Sequence, residues 1–464
     1  MQQKSMPLSE IIARDKRMVS LLYEQEIPLI CRRVSDGKLK KVSFRALYDN
    51  NEVFWKQDKG WAFYISEEHV QAMIDMIKEF DGKKEKHYIA KHEEEEKNVG
   101  DLPNFGEAYE SIASMDSEER VSIIKEDREK LDTLLIEAPK ENEKILEALA
   151  DTTRDAALAN RSTILEAIHM GDEAARAYTQ GIVDSTRAMV KSSTALIDNT
   201  IMQDELITSL VQRSNGTVVQ HMTRVFLNGV AFLTYYNRRM LTSSLPNKIR
   251  ITFDKQYKSY YQRLLPHLYP EDVTLERVFH TGMQAISEAQ LHTFATGFLI
   301  HDIGKAKDIE YHEGEAAYDR DTVVDHVRQG YLAVMHKTNY PREAGLITGY
   351  HHEYYGSPDG YGFYRALLAN ARKNNPKLKQ DFCMSFTMEP MIKFNALAYF
   401  PAKVMEIVDV FDALTDPNRK YRKPLSGDEA LDFMQRQFVD EELKLDPILF
   451  DLFRTFTKGK RPAS

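Results

Sequence analysis

Seven side chains in this chain could hold metal ions, and they come from five separate apolar segments. His221 lies in TVVQHMTRVFLNGVAFL, and His301 with Asp302 ends HTFATGFLIHDIGK. His326 heads HVRQGYLAVMH, His351 and His352 follow the apolar GLITGY, and Asp409 sits in PAKVMEIVDVFDALTD with Asp412 one turn later. Taken singly, each has an ordinary reading. His221 shares a helical face with Val218 and Val225, as a hydrogen-bonded core histidine would. Asp409, between Val408 and Val410, fits a structural salt bridge. Burying a carboxylate nevertheless costs several kcal/mol unless a cation meets it, and Asp302 follows Phe298, Leu299 and Ile300 directly. A metal or a lysine would serve. Together, five imidazoles and two carboxylates exceed the needs of one ion and suit two that share a bridging carboxylate. Asp302 is the natural bridge, because its neighbour His301 can serve one ion while the carboxylate spans both. Such a donor set suits iron, manganese or zinc, and spacing alone does not choose among them.

The elements that must position these groups are helices. Gly304 permits a turn after His301-Asp302, and Gly330, four residues after His326, leaves room for a close approach on the same helix face. Adjacent His351 and His352 can face one site if they sit at an irregular helix end. The expectation is a mainly α protein in three parts. Residues 1–100 read as a small α/β regulatory module with a charged linker. Its strands are PLICRRV, KKVSFRALY, EVFWKQ and GWAFYIS, separated by turn formers such as Ser35-Asp36-Gly37, and a helix is capped by Ser66. Residues 101–213 read as a helical stalk. Apolar pairs at Ile182/Val183, Met189/Val190 and Leu196/Ile197, then Ile201, Leu206 and Leu210, resemble a coiled-coil seam that would dimerise two copies. Ser185, Ser192, Ser193 and Asn199 on that seam fit equally a helix packed on its own domain. Residues 214–464 form an all-α bundle carrying the site.

Composition bounds the function. The chain has 464 residues, 42% hydrophobic and 29% charged, enough for two or three units with real cores. A net charge of −9 argues against broad binding to nucleic acid, while a local basic pocket for a small anionic ligand stays open. Two distant cysteines, Cys31 and Cys383, give no disulfide framework. No apolar run is long enough for a bilayer, and the opening MQQKSMPLSEIIARDKRMVS lacks an export pattern, so a cytoplasmic protein is expected.

The order H…HD-IGK…H…HH-E…DG-G…D-xx-DAL resembles the HD-GYP subfamily of HD-domain metal phosphohydrolases, over roughly residues 216–431. That resemblance implies a C-terminal HD-domain helical bundle that hydrolyses the bacterial second messenger cyclic di-GMP. It implies His221, His301, Asp302, His326, His351, His352 and Asp409 as ligands of two divalent transition metals, iron or manganese before zinc. It implies Lys305 as the neutraliser of substrate phosphate, and Arg419, Tyr421 and Arg422 in DVFDALTDPNRKYRKPLS as substrate contacts. A signalling-protein partner and a homodimer through the stalk are the corresponding expectations.

The departures are specific. Gly362-Phe363-Tyr364 stands where glycine-tyrosine-proline is expected, Gly356-Ser357-Pro358 is inserted ahead of it, and Thr217 replaces the glutamate used by members with a third metal. Two insertions, around SSLPNKIRITFDKQYKSYYQRLLPHLYPEDV and ANARKNNPKLKQDFCMSFTMEPMIKF, could rim the pocket.

Phosphodiester hydrolysis by such a pair would use a bridging water acidified to hydroxide near neutral pH, with no serine or cysteine nucleophile. Lys305 and the arginines would meet the growing phosphoryl charge. Asp412 or water would protonate the leaving group, and Glu353 would orient a ligand histidine. The alternatives are an HD phosphohydrolase for another nucleotide, or a weakly catalytic cyclic-dinucleotide receptor. His280 and His292 read as packing residues, and His312 as a residue that could face substrate. His69, His87, His92, His169, His267 and His336 have no partner pattern. Trp55 and Trp61 read as core or edge aromatics, and Glu93 to Glu96 as a solvated face.

Overall fold

Helix dominates wherever apolar residues recur every three to four positions. A computed structural model of the chain describes residues 5–8, 11, 22, 27–33, 35–36, 38–44, 61–75, 111–137, 142–197, 218–308, 320–356, 360–416 and 424–458. Its contacts divide it into two units, Met1–Asn104 and Phe105–Ser464.

In the first unit, short β-branched and aromatic runs build an antiparallel sheet. Strands β1 (Ser5–Pro7), β2 (Pro28–Arg33), β3 (Leu39–Ser43) and β4 (Trp61–Ser66) lie in the order β1-β4-β2-β3. Leu29, Cys31 and Ile65 point from it into a small core with Val70 and Met73 of the helix over 67–75. Three of the four expected strand segments are therefore strands, and β1 was not expected. The fourth, EVFWKQ, lies outside the described residues, as do Trp55, His87, His92 and Glu93 to Glu96.

The second unit begins with three long helices, α1 (Ser117–Glu137), α2 (Asn142–Ala167) and α3 (Asp172–Ile197). Here the stalk expectation is corrected. Ile182, Val183, Met189, Val190, Leu196 and Ile197 are buried within this chain, in the same core as the C-terminal helices. Ser193 is buried because its hydroxyl donates to Met189 Sδ at 3.2 Å, and Thr194 bonds Lys191 O at 3.0 Å, so polar groups on the seam need no water. Ile201, Leu206, Leu210 and Asn199 lie outside the described residues.

Further helices follow, and five of them carry the candidate ligands or end at them. They are α4 (Val218–Thr242), α5 (Leu245–Gln256), α6 (Lys258–Leu264), α7 (Glu288–Ile300), α8 (Arg320–Lys337), α9 (Arg342–Tyr350), α10 (Phe363–Asn374), α11 (Phe400–Thr415) and α12 (Pro447–Lys458). Their starts are legible as local chemistry. Ser287 and Gln290 close a capping box on α7, and prolines occupy the first turns of α5 and α11.

The expected all-α bundle needs one correction. Within the second insertion, β5 (Phe382–Ser385) and β6 (Ala396–Tyr399) form a two-stranded parallel sheet. Both runs are short, apolar and buried, a pattern that periodicity does not separate from helix. Nor does the first insertion contact the centre through its tyrosines. Tyr260 and Tyr261 of α6 bond Leu445 O and Asp446, and Tyr257 bonds Asp451 of α12. Among the described residues no helix is long and apolar enough to cross a membrane.

Helices α2 and α3 pack directly on the elements bearing the ligands. Arg161 Nη2 donates to Lys305 O at 3.3 Å, Thr179 Oγ1 to Lys337 O at 2.9 Å, and Arg187 Nη2 to Asn339 O at 2.6 Å. Asn160 meets both Tyr340 and Thr186. On the other side of the turn after α7, Gly304 lies against the backbone of α8. A Cβ there would stand 1.8 Å from His326 O and 2.6 Å from Gly330 N, so only glycine fits.

Gly304→Ala should therefore push α8 off the turn and cost at least about 1–3 kcal/mol, the usual price of overpacking. Urea denaturation of the purified variant checks this. An unchanged midpoint would show that the two backbones are not in contact.

Candidate metal centre

The seven expected ligands converge. Their ligand atoms fall into overlapping groups in which all members lie within 4.8 Å: His221, His301 and Asp409; His301, Asp302 and His351; and His326, His351 and His352. All seven are buried. Asp302 lies between the groups with one oxygen toward each. Its Oδ2 is 3.6 Å from both His221 Nε2 and His301 Nε2, and its Oδ1 is 3.1 Å from His326 Nε2 and 3.8 Å from His351 Nε2. Asp409 spans the far side, with Oδ1 2.9 Å from His221 Nε2 and Oδ2 3.7 Å from His352 Nε2.

Four of the five rings are aimed by a partner on the other nitrogen. The turn at the end of α7 lets His301 Nδ1 donate to Phe298 O at 2.9 Å, and the end of α9 lets His351 Nδ1 donate to Thr348 O at 2.8 Å. His221 Nδ1 lies 2.7 Å from Asp412 Oδ2, and His352 Nδ1 lies 3.1 Å from the Tyr354 hydroxyl. These contacts place the Nε2 lone pairs toward the centre, as a histidine ligand with an oriented outer partner requires. His301 Nε2 is buried without a hydrogen-bond partner. A lone pair so placed is costly unless a cation meets it, so this donor set fits transition-metal ions.

The protonation states agree for five of the ligands. Burial, opposed only partly by Asp302, pushes the His301 imidazole down to about 3. Burial and Lys305 lower His326, and burial with the neighbouring His351 ring takes His352 well below its ordinary value. Burial pushes Asp302 up, but Lys305, His301 and the bonds from His326 and His351 outweigh it and hold the carboxylate well below its usual range. Asp409 is likewise held low against burial, by His221, His352 and His301. Neutral imidazole and ionised carboxylate are the ligating forms. His221 differs. Burial lowers it, but Asp409 and Asp412 together raise it, so an incoming ion must displace a proton there.

Lys305 belongs to the centre. Its Nζ is 2.6 Å from Asp302 Oδ2, with 27% of the side chain exposed, so it offers positive charge to solvent at the rim. Asp412, named above beside water as a proton donor to the leaving group, faces two partners. Both oxygens are taken, Oδ1 by Arg224 Nε at 2.7 Å and Oδ2 by Arg224 Nη2 at 2.8 Å and by His221. Against burial, His221 and Arg224 hold Asp412 below the ordinary carboxylate range, so it orients His221 and is ionised. Glu353 differs from expectation. It orients no histidine; its Oε1 accepts the Arg365 backbone N–H at 2.9 Å and caps α10, while burial pushes it up to about 8. Gly362 is needed there, because a Cβ would meet the Glu353 side chain at 2.4 Å.

Arg419, Tyr421, Arg422, His312 and Thr217 lie outside the described residues. His280 stands away from the centre with its ring 4.4 Å from Phe382, and His292 pairs with Glu288 at 3.8 Å. The sequence reading missed Arg224, although its place three residues after His221 puts both on one face of α4. It also missed Tyr361, whose ring lies 4.4 Å from that of His352 and 6.0 Å from that of His326.

In the metal-free protein the His221 contacts stabilise the fold in a direction that can be checked. Because its folded value lies above the ordinary 6.5, that contribution is complete below 6.5 and is lost as pH rises through the raised value. Urea titrations in chelator at about pH 6 and about pH 9 should show wild type losing more stability across the interval than His221→Asn. Equal losses would sink the pairing with Asp409 and Asp412.

No family model matches this chain, and neither the curated proteins nor the solved structures give a match, so its function rests on the centre itself.

Proposed function

We propose that the protein is an HD-GYP-like, metal-dependent phosphodiesterase that hydrolyses cyclic di-GMP in the cytoplasm of a bacterium. The observation that carries this reading is the Asp302 carboxylate, one oxygen toward His221 and His301 and the other toward His326 and His351. The motif order quoted above supplies the substrate class. His221, His301, Asp302 and Asp409 would hold one divalent ion, and Asp302, His326, His351 and His352 the other.

When bound, such ions supply Lewis acidity toward phosphoryl oxygens and acidify solvent water. The chain's own groups do the rest. Asp412, locked by Arg224, keeps the His221 ring in place, and Phe298 O and Thr348 O do the same for His301 and His351. Lys305 presents an ammonium at the rim, where a phosphate would arrive and where charge grows during hydrolysis. Tyr361 walls the side formed by His326 and His352. Its loop also favours a second reading. Residues 356–358 are inserted ahead of it and Tyr364 stands in the proline position, so another cyclic or linear nucleotide is the competing substrate.

Metal-replete protein should convert cyclic di-GMP to a linear product when a panel of cyclic dinucleotides is resolved by chromatography. Asp302→Ala should abolish turnover with helical content intact. Lys305→Met should lower kcat/KM by about 10²–10³, the usual size of a lost charge-stabilising donor. Turnover of a different nucleotide favours the second reading. Tight binding without turnover, with iron and manganese supplied, makes the protein a receptor and overturns the hydrolase.

A further inference from the structure

The five ligand histidines are not supported alike, and the least usual support leads outside the centre. His301 and His351 lean on main-chain carbonyls three residues back, and His221 leans on a carboxylate. His352 leans on a neutral hydroxyl, that of Tyr354, two residues further along the chain. To bring that hydroxyl round, the backbone takes a conformation that side chains with a Cβ rarely adopt. Tyr354 has φ +46° and Tyr355 φ +52°, two consecutive left-handed residues ahead of Gly356.

A buried polar network holds these two residues and has no part in the chemistry proposed above. Glu406 Oε1 accepts the Tyr354 N–H at 3.1 Å. The Tyr355 hydroxyl donates to Asp446 Oδ2 at 2.9 Å, and the Lys403 ammonium sits 3.8 Å from the Tyr355 ring centroid. Lys403 also pairs with Glu406 and donates to Lys444 O at 2.6 Å, while Asp446 takes a second hydroxyl from Tyr261 at 2.7 Å. Lys403, Glu406 and Asp446 are each at most 1% exposed. Strained backbone persists only where its surroundings over-determine it, and such strain gathers at functional sites. Here the surroundings are three buried ionisable groups, and what they fix is the direction of one phenol.

We infer that Tyr354 is a positioning residue for His352, its hydroxyl holding Nδ1 so that Nε2 stays turned toward the centre, 3.7 Å from Asp409 Oδ2. The inference rests on the proposed two-metal reading and adds an asymmetry to it. A carboxylate behind His221 strengthens that ring as a donor more than a phenol strengthens His352. The ion held by His326, His351 and His352 is therefore the weaker one, and Tyr354 sets how weak.

The test loads wild type and Tyr354→Phe with Mn²⁺ and dialyses both against graded chelator. Manganese per chain is counted by mass spectrometry, and electron paramagnetic resonance separates a coupled pair from isolated ions. Wild type is expected to hold about two ions with a coupled spectrum. Tyr354→Phe should release one of them at about 10–100-fold lower chelator, leaving an isolated-ion spectrum, while its circular dichroism and metal-free urea midpoint match wild type. Two ions held equally well by both proteins would overturn the inference alone. Joint loss of both ions, or an altered metal-free unfolding transition, would make Tyr354 a structural residue instead. Wild type that holds no manganese would overturn the two-metal reading beneath it.

Discussion

A carboxylate with 1% of its side chain exposed, Asp302, sets the terms for the second unit. Left alone in a core of Phe298, Leu299 and Ile300 it would be protonated or the fold would fail. It is ionised because Lys305 and four imidazoles converge on it, and each of those groups needs an element ending at the right place. Helix α7 must stop at His301 and α9 at His351; α8 must approach closely enough for His326 to reach across. The positions of Gly304 and Gly362 follow from the same demand, since each lets backbone come where a Cβ would collide. Helix ends, glycines and outer hydrogen bonds are thus consequences of gathering charge in a place that excludes water.

Much of this centre was legible in the sequence because its cost was legible. An aspartate inside an apolar run announces a missing cation, and two of them with five histidines in five segments announce a shared one. The secondary structure was readable for a similar reason, as with the alternation in PLICRR and Ser66 ahead of the helix over 67–75. What could not be read was partnership. Periodicity shows that Ile182, Val190 and Ile197 face something, but a second copy and the chain's own α2 and α7 give the same period. The partners of Asp412 and Glu353 were hidden likewise, because a carboxylate's partner depends on which donor reaches it, and Arg224 and the Arg365 N–H arrive by tertiary folding.

The two left-handed tyrosines were hidden more deeply. Tyr354-Tyr355-Gly356 carries no turn signature that would place two Cβ-bearing residues at positive φ. The groups enforcing it, Glu406, Lys403 and Asp446, lie some fifty to ninety residues downstream. Strain of this kind is written in long-range contacts and is invisible to any local window. β5 and β6 were missed for a simpler reason: FCMS and ALAY are four residues each and mostly buried, so neither shows a clear alternation of apolar and polar faces.

The hydrogen bond from Arg161 to the Lys305 carbonyl, with the Asn160 to Tyr340 contact beside it, has a consequence for where this molecule can be divided. A boundary at residue 213 looks natural from the change in sequence character, yet a fragment beginning at 214 would bare the flank of the very turn that carries Asp302. Helices α2 and α3 cover that turn and the end of α8. A shift of α2 is one hydrogen bond away from Lys305 and, through it, from Asp302.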